Sequence, residues 1–179
     1  PELGGCEGWR QLCERVRAHS LGVVLDIVPN HMAADSVHNL LWRQVLADGP
    51  SSVASRYFDV DWQPLSGLIR NKVMLPVLEE PYGEALLQRR IRLEREGGET
   101  RVRYSAMHLP LSSRSFEGDG SEGLLEEIDA DPQSMHEVLE RQHYRLAFWR
   151  AASDEINYRR FFDVNDLIAI RAEDDYVFE

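Results

Sequence analysis

The sequence predicts an α/β protein in which a helix leads directly into a buried parallel strand. Residues 7–20 have the apolar spacing of an amphipathic helix. Residues 21–28 then form an apolar run in which Asp26 is the only charged residue. Such runs of Leu, Val and Ile are typical of strands that are covered on both faces in parallel sheets. A helix followed by such a strand is half of a βαβ unit, as a parallel barrel requires.

The next part of the chain predicts a second helix, a strand and a third helix. Residues 35–48 have a helical apolar pattern that Gly49 and Pro50 bring to an end. Residues 72–78 predict a short apolar strand, and residues 81–89 predict a short helix that Pro81 opens.

A hairpin and a loop are predicted in the middle of the chain. Alternating arms at residues 91–95 and 100–104 flank Gly97 and Gly98, which is a good hairpin signal. Residues 112–131 combine glycine, serine and acidic residues, so we expect a mobile loop there.

The last part of the chain predicts two helices with an extended segment between them. Bulky apolar residues recur through residues 132–153 and predict a strong helix. Residues 156–162 are expected to be extended. Asn165 is a suitable N-cap for a helix that reaches Ala172.

Polar residues gather where the first predicted strand ends. Asp26 lies inside the strand, and Asn30 and His31 follow it directly. Ligands collect at the carboxyl ends of parallel strands, so these residues are candidates for a binding site. An ordinary Asn-rich turn after a strand is the alternative.

Composition and charge restrict the partners of the chain. The 179 residues carry 31 acidic and 20 basic side chains, a net charge of −11, which argues against a nucleic-acid partner. No run of about 20 apolar residues is present, so we expect no membrane partner. Cys6 and Cys13 would lie about 10 Å apart along a helix, too far for an undistorted disulfide. Two free thiols favour a cytoplasmic location.

The pattern Asp26-x-x-x-Asn30-His31 after an apolar strand resembles the first conserved segment of the α-amylase superfamily of (β/α)8-barrel glycosidases. In that superfamily the segment closes the third barrel strand. The resemblance implies that His31 contacts the sugar beside the cleaved bond, and that Asp26 and Asn30 hold the neighbouring backbone. We expect neither a metal nor a cofactor.

Longer segments resemble one branch of that superfamily, the maltooligosyltrehalose synthases. The most specific is Asn-Tyr-Arg-Arg-Phe-Phe-Asp-Val-Asn-Asp-Leu at residues 157–167. The resemblance implies an isomerase that turns the reducing-end α-1,4 bond of a maltooligosaccharide into an α,α-1,1 bond. The segments that carry it are residues 1–5, 57–62, 72–78, 142–150 and 155–167.

The resemblance also implies a domain organisation. Residues 1–34 would be the helix and third strand of a (β/α)8 TIM barrel, and residues 35–155 an α+β insertion that overhangs the active site. Residues 156–179 would return toward the barrel and stop before its fourth strand. The catalytic nucleophile and acid/base would follow later, so we expect an internal piece of a longer enzyme, inactive alone, whose partner is the remainder of the same polypeptide.

The string around Arg159 and Arg160 adds further candidates. An Arg fork would hold a carboxylate or a sugar hydroxyl, and Tyr158 and Phe162 would offer stacking faces. The alternative is a strand whose Arg side chains pair with the many acidic residues. Tyr57, Phe58 and Trp62 fit a core more readily than a sugar platform.

Two other functions fit the same residues. An α-amylase-type hydrolase or glucanotransferase would share Asp26, Asn30 and His31. A non-catalytic piece that binds maltooligosaccharide, or only packs, is the other alternative.

Overall fold

A computed structural model describes residues 4–26, 28–65, 67–113, 115–116, 121–150 and 155–178. The mixed helices and sheets agree with the predicted α/β class. The helices are α1 (Gly5–Ala18), α2 (Leu40–Asp48), α3 (Tyr82–Leu87), α4 (Glu122–Ala130), α5 (Pro132–Glu140) and α6 (Asp175–Phe178). The strands are β1 (His31–Ala33), β2 (Val73–Leu78), β3 (Ile91–Glu96), β4 (Glu99–Tyr104), β5 (Met107–Pro110), β6 (Tyr144–Phe148), β7 (Arg160–Phe161) and β8 (Val164–Ala169).

The described strands form three small sheets. Strands β1, β8 and β7 make an antiparallel sheet in that order, and β3, β4 and β5 make a second one. Strands β2 and β6 pair in parallel, and their register shifts between Leu75 and Leu78. Pro76 lies at this shift, and proline has no N–H to donate to a ladder. The predicted strand at residues 72–78 is confirmed.

The predicted hairpin is also confirmed as β3 and β4. Its turn consists of Gly97 and Gly98, with φ of 60° and 87°. Two positive φ values in succession are what a tight hairpin turn requires, and glycine adopts them without steric cost.

The main core lies between α2, the β2–β6 sheet and the inner face of β8. Trp42 is fully buried, and its ring meets Phe58 and Tyr158 edge to face at centroid distances of 5.2 and 6.0 Å. Tyr57 and Trp62 pack against the same core. The structure therefore agrees with the core interpretation of the 57–62 aromatics.

Helix α2 begins later than its pattern predicted, at Leu40 instead of residue 35. Asn39 caps it, because the Asn39 side-chain oxygen accepts a hydrogen bond from the Trp42 N–H at 3.1 Å. The Asn39 amide nitrogen also donates to the Ala33 carbonyl at 2.8 Å, which ties the helix start to β1. Asp35 instead accepts from the Val37 N–H within the preceding turn.

Helix α1 confirms the predicted amphipathic helix, but the strand predicted after it is not formed. Among the described residues of the 21–28 segment no strand pairing occurs, and Val24 is 96% exposed. A strand buried on both faces needs a neighbour on each side, and no described element packs there. The apolar residues of α1, including Trp9 and Leu12, are exposed for the same reason.

Of two helix predictions near the end of the chain, the first is confirmed only in part and the second was wrong. The helix expected over residues 132–153 ends at Glu140 in α5, and β6 follows it. Residues 151–153 of that expected helix lie outside the described residues. Tyr144, Leu146 and Phe148 alternate with period two, which is the strand pattern that pairing with β2 selects. Residues 165–172 were expected to be helical, but β8 occupies most of them because β1 and β7 pair with it on both sides.

The loop expected over residues 112–131 contains helix α4. Leu124, Leu125 and Ile128 have helical spacing, and Leu125 and Ile128 are buried. Asp129 Oδ1 accepts a hydrogen bond from the Leu93 N–H at 2.8 Å, which ties α4 to β3. Residues 114 and 117–120 of the expected loop lie outside the described residues.

Candidate functional site

The β1–β8–β7 sheet brings the two candidate segments together. His31 lies opposite Ala169, and Arg160 lies opposite Ile168. The same register places Arg159 opposite Ala169, whose N–H donates to the Arg159 carbonyl at 2.8 Å. Partners in an antiparallel ladder project to the same face. His31 and Arg159 therefore share one face, with the small side chain of Ala169 between them.

The other face of this sheet points into the core. Ile168 is fully buried, Tyr158 is 6% exposed, and Met32 packs against the same cluster. The core thus fixes which side chains of the sheet face outward. We call the outward surface formed by His31, Arg159, Phe161 and Ala169 the His31 face.

A hydrogen bond with Asn30 orients the ring of His31. Nδ1 of His31 lies 2.9 Å from Oδ1 of Asn30. An amide oxygen can only accept, so Nδ1 carries the hydrogen and donates it. Nε2 of His31 is enclosed and has no hydrogen-bond partner among the described residues. The backbone holds the loop as well, since the Ile170 N–H donates to the Asn30 carbonyl at 2.9 Å.

Two phenylalanines lie beside His31, Phe161 within the His31 face and Phe162 next to it. The Phe161 ring meets the His31 ring edge to face, with centroids 5.2 Å apart. Phe162 packs on Phe161 at 4.8 Å and is itself 81% exposed. Its φ is 51°, a conformation that is costly for an aromatic residue. The predicted stacking residue Phe162 therefore lies at the surface in a strained turn beside the candidate site.

The two neighbouring arginines differ in their surroundings. Both terminal nitrogens of Arg160 are engaged, one with the Asn165 side-chain oxygen and one with Asp163 at 3.2 Å. Arg160 therefore matches the alternative interpretation of an Arg paired with an acidic neighbour. Arg159 is exposed, and its guanidinium makes no hydrogen bond or ion pair within the described residues. Of the two, only Arg159 is available to a ligand.

Tyr158 is placed differently from the prediction that it offers a stacking face. Its ring packs against Trp42 in the core, and its hydroxyl donates to the Asn165 carbonyl at 3.2 Å. Burial raises the pKa of the Tyr158 hydroxyl to about 12. We correct this prediction, because a ring enclosed on both faces cannot stack on a sugar.

Asp26 is also placed differently from the expectation that it holds the neighbouring backbone. It is exposed, and its carboxylate makes no hydrogen bond or ion pair with any described residue. The side chain that contacts Asn30 is His31. The reason is the same as for the unformed strand, since no described element packs beside this segment.

Sequence reasoning did not identify Asn157 as the residue that fixes the candidate site to the core. Its side-chain oxygen accepts from the Met74 N–H at 2.9 Å. Its amide nitrogen donates to the carbonyls of Asp61 at 2.7 Å and Lys72 at 2.8 Å. All polar atoms of its side chain are satisfied by backbone, so Asn157 anchors the segment that leads into Arg159 and β7. An amide at the start of an otherwise aromatic and basic string was the available signal.

Within the described segments, no group of three His, Cys, Asp or Glu side chains is close enough to hold a metal ion. The described helices include none with the length and apolar content needed to cross a membrane. Cys6 and Cys13 are free thiols.

Comparison with known proteins shows that the chain is similar over its whole length to proteins named as glycosyltrehalose or maltooligosyl trehalose synthases. The chain is 33% identical over 180 aligned residues to a Mycobacterium tuberculosis (strain CDC 1551 / Oshkosh) protein named as a maltooligosyl trehalose synthase. The alignment covers all of this chain and 20% of that protein, so the chain spans about a fifth of the length of the curated relatives it matches. The chain is homologous throughout to one segment of maltooligosyl trehalose synthase.

Solved structures agree with this relationship. The maltooligosyltrehalose synthase from Arthrobacter ramosus is 36% identical, with a TM-score of 0.68 over 98% of this chain and 20% of that one. A glycosyltrehalose synthase superposes with a TM-score of 0.71 at 30% identity, over 99% of this chain and 22% of that one. No protein-family model matches the chain.

Proposed function

We propose that this chain is the part of an isomerase that binds maltooligosaccharide beside the bond to be rearranged. The enzyme would convert the reducing-end α-1,4 bond into an α,α-1,1 bond by intramolecular transglucosylation. The observation that carries this proposal is the His31 face, which presents an oriented imidazole and an unpaired guanidinium on one surface. The homology over the whole chain supports the reaction class.

The chemistry assigns different tasks to the residues of the chain and to the rest of the polypeptide. A retaining mechanism needs one carboxylate as nucleophile and a second as acid/base, roughly 5 Å apart. We propose that both come from the remainder of the polypeptide. Arg159 then hydrogen-bonds sugar hydroxyls next to the reacting carbon, the His31 ring contacts the sugar there, and Phe162 supplies an apolar face for the ring.

We further propose that residues 1–34 belong to a (β/α)8 barrel and residues 35–155 to an insertion, with residues 156–179 returning to the barrel. Two observations support this division. The pairing of β1 with β8 means that the intervening chain leaves one sheet and returns to it. The exposed apolar residues of the 21–28 segment suit a strand that neighbouring strands cover.

The insertion would act as a lid. The glucose that is released when the first bond breaks must turn and attack the covalent intermediate before water does. The site therefore has to exclude water during the reaction. We propose that this reaction takes place in the cytoplasm. Its substrates are maltooligosaccharides, and neither nucleic acid nor a membrane takes part.

Loss of reducing ends from maltopentaose tests the proposed function. The 179-residue chain is assayed beside the longer enzyme that contains it. We expect loss with the enzyme and none with the chain alone. A gain of reducing ends would instead identify a hydrolase, and unchanged reducing ends with new chain lengths a glucanotransferase. Activity of the chain alone would contradict the proposal that its carboxylates are not catalytic, and Asp163, Asp166 and Glu173 would then be substituted in turn.

A further inference from the structure

A cavity of about 640 Å³ lies beside β1 and β5, outside the His31 face. We call it the β1–β5 cavity. Its volume is within the range of small-molecule sites in proteins, roughly 300–1,000 Å³. Much of its wall is apolar and comes from Ala33, Val37, Ala106, Met107 and Leu109.

Five polar side chains complete the lining of the cavity, namely those of Asp35, Ser36, His38, His108 and Asp166. Asp35 and His38 hydrogen-bond to each other through Oδ2 and Nδ1. Asp166 lines the cavity from β8, and its carboxylate makes no hydrogen bond or ion pair with the described residues. An apolar wall with a few polar groups is the usual composition of a site for an uncharged, polar organic molecule.

We propose that the β1–β5 cavity binds a further glucosyl unit of the same α-glucan chain whose end lies at the His31 face. This inference rests on the proposed function. The ring's C–H surface lies on Met107 and Val37, and its hydroxyls donate to the carboxylate of Asp166. Asp35 and Asp166 disfavour an anionic ligand, and the two histidines of the lining each face a carboxylate, His38 that of Asp35 and His108 that of Glu94. A neutral sugar carries no charge that these carboxylates would repel.

The position of the cavity along β1 supports this assignment. Ala33 lines the cavity and lies two residues after His31 in the same strand. A strand rises about 3.3 Å per residue, so the cavity begins about 7 Å from His31. One linear molecule can therefore reach both places, and the strand β1 holds them in fixed relation.

A cavity-filling variant tests this proposal in the enzyme that contains the chain. Ala106 is an exposed turn residue that lines the cavity, so Ala106→Trp fills space without entering the core. Ala130→Trp is the matched control, since Ala130 is exposed at the end of α4 and does not line the cavity. Asp166→Asn keeps the shape of the side chain and removes its charge. Reducing-end loss is measured against maltopentaose concentration, together with the Tm of each variant.

We expect Ala106→Trp to raise KM for maltopentaose about tenfold with kcat unchanged, because the lost contact is the same in the ground state and transition state. Asp166→Asn should raise KM in the same way by a smaller factor, and Ala130→Trp should leave KM within twofold. Equal KM for wild type and Ala106→Trp would overturn the proposal. A lower Tm for Ala106→Trp with unchanged KM would also overturn it, since it would mean that another part of the polypeptide fills the cavity.

Calorimetry separates failure of this inference from failure of the proposed function. Maltopentaose is titrated into wild type and Ala106→Trp. If the enzyme causes no loss of reducing ends, the proposed reaction is wrong, and the cavity is then judged by binding alone. Binding that weakens about tenfold in Ala106→Trp supports the cavity. Equal binding, or none by wild type, overturns it.

Discussion

The imidazole ring of His31 and the ring of Phe161 meet edge to face, with centroids 5.2 Å apart and an angle of 80° between their planes. The two residues lie in β1 and β7, the outer strands of a sheet whose middle strand is β8. Because this contact crosses the sheet, the orientation of His31 depends on a residue about 130 positions later in the sequence. The His31 face exists only when both outer strands are paired.

Replacing His31 with alanine should lower turnover without unfolding the enzyme. The imidazole is oriented by Asn30 and Phe161 but is not part of the main core. We expect kcat to fall about 100-fold, because a sugar that is misplaced beside the reacting groups by the loss of a positioning contact loses roughly that much rate. Reducing-end loss and Tm are measured in parallel. His19→Ala is the control, because His19 is exposed at the end of α1. Unchanged kcat in His31→Ala would contradict the assigned role.

Substitutions of the two neighbouring arginines should have different effects. Arg159→Ala should raise KM for maltopentaose and leave Tm unchanged, since its guanidinium has no partner within the described residues. Arg160→Ala should lower Tm, because it removes the contacts to Asn165 and Asp163 that hold the β7–β8 turn. Steady-state kinetics and thermal unfolding of both variants check this. If Arg160→Ala raised KM more than Arg159→Ala at equal Tm, the two roles would have to be exchanged.

Removal of the Asn157 side chain should destabilise the chain strongly. Asn157→Ala leaves the Met74 N–H and the carbonyls of Asp61 and Lys72 without partners. Met74 is the buried residue of the three, and an unsatisfied buried group costs about 1–3 kcal/mol, so we expect the free energy of unfolding to fall by about 1–3 kcal/mol. Urea unfolding followed by circular dichroism measures it. Gln63→Ala is the control, since Gln63 is exposed and hydrogen-bonds Asn71 at the surface. A change below about 1 kcal/mol in Asn157→Ala would mean that water replaces the amide.

Acidification should weaken the turn that precedes α2. The hydrogen bond with the His38 side chain, followed by that from the Val37 N–H, lowers the pKa of Asp35. A lowered folded-state pKa means that the ionised form favours folding. This contribution is complete above the ordinary value of 3.8 and is lost as the pH falls through the lowered value.

Acid unfolding of wild type and Asp35→Asn measures this contribution. The Tm of wild type should fall more steeply below about pH 4 than that of Asp35→Asn. His38→Ala should make this fall of Tm partly less steep, because it removes the hydrogen bond that lowers the pKa of Asp35 most and leaves the one from the Val37 N–H. If Tm fell equally steeply with pH in all three proteins, the protonation of Asp35 would not be coupled to unfolding.

Local signals in the sequence determined several elements by themselves. The glycine pair at residues 97 and 98 defined a hairpin, because a turn with two positive φ values needs residues without a Cβ. The amphipathic pattern before residue 20 defined α1, and the short apolar run after Lys72 defined β2. The Asn30-His31 pair and the arginine string also marked the residues of the His31 face before their positions in space were known.

Only the tertiary structure decided which candidate residues are available to a ligand. Tyr158 and Arg159 are adjacent and equally suited to a sugar site, yet one faces the core and the other faces outward. The reason is register, since successive strand residues point to opposite faces and the pairing with β8 determines which face is buried. The same long-range pairing made residues 164–169 a strand, whereas the described residues of the 21–28 segment have no described neighbour and are unpaired. Contacts between distant segments contribute more free energy than local propensity, and their partners cannot be identified from local sequence alone.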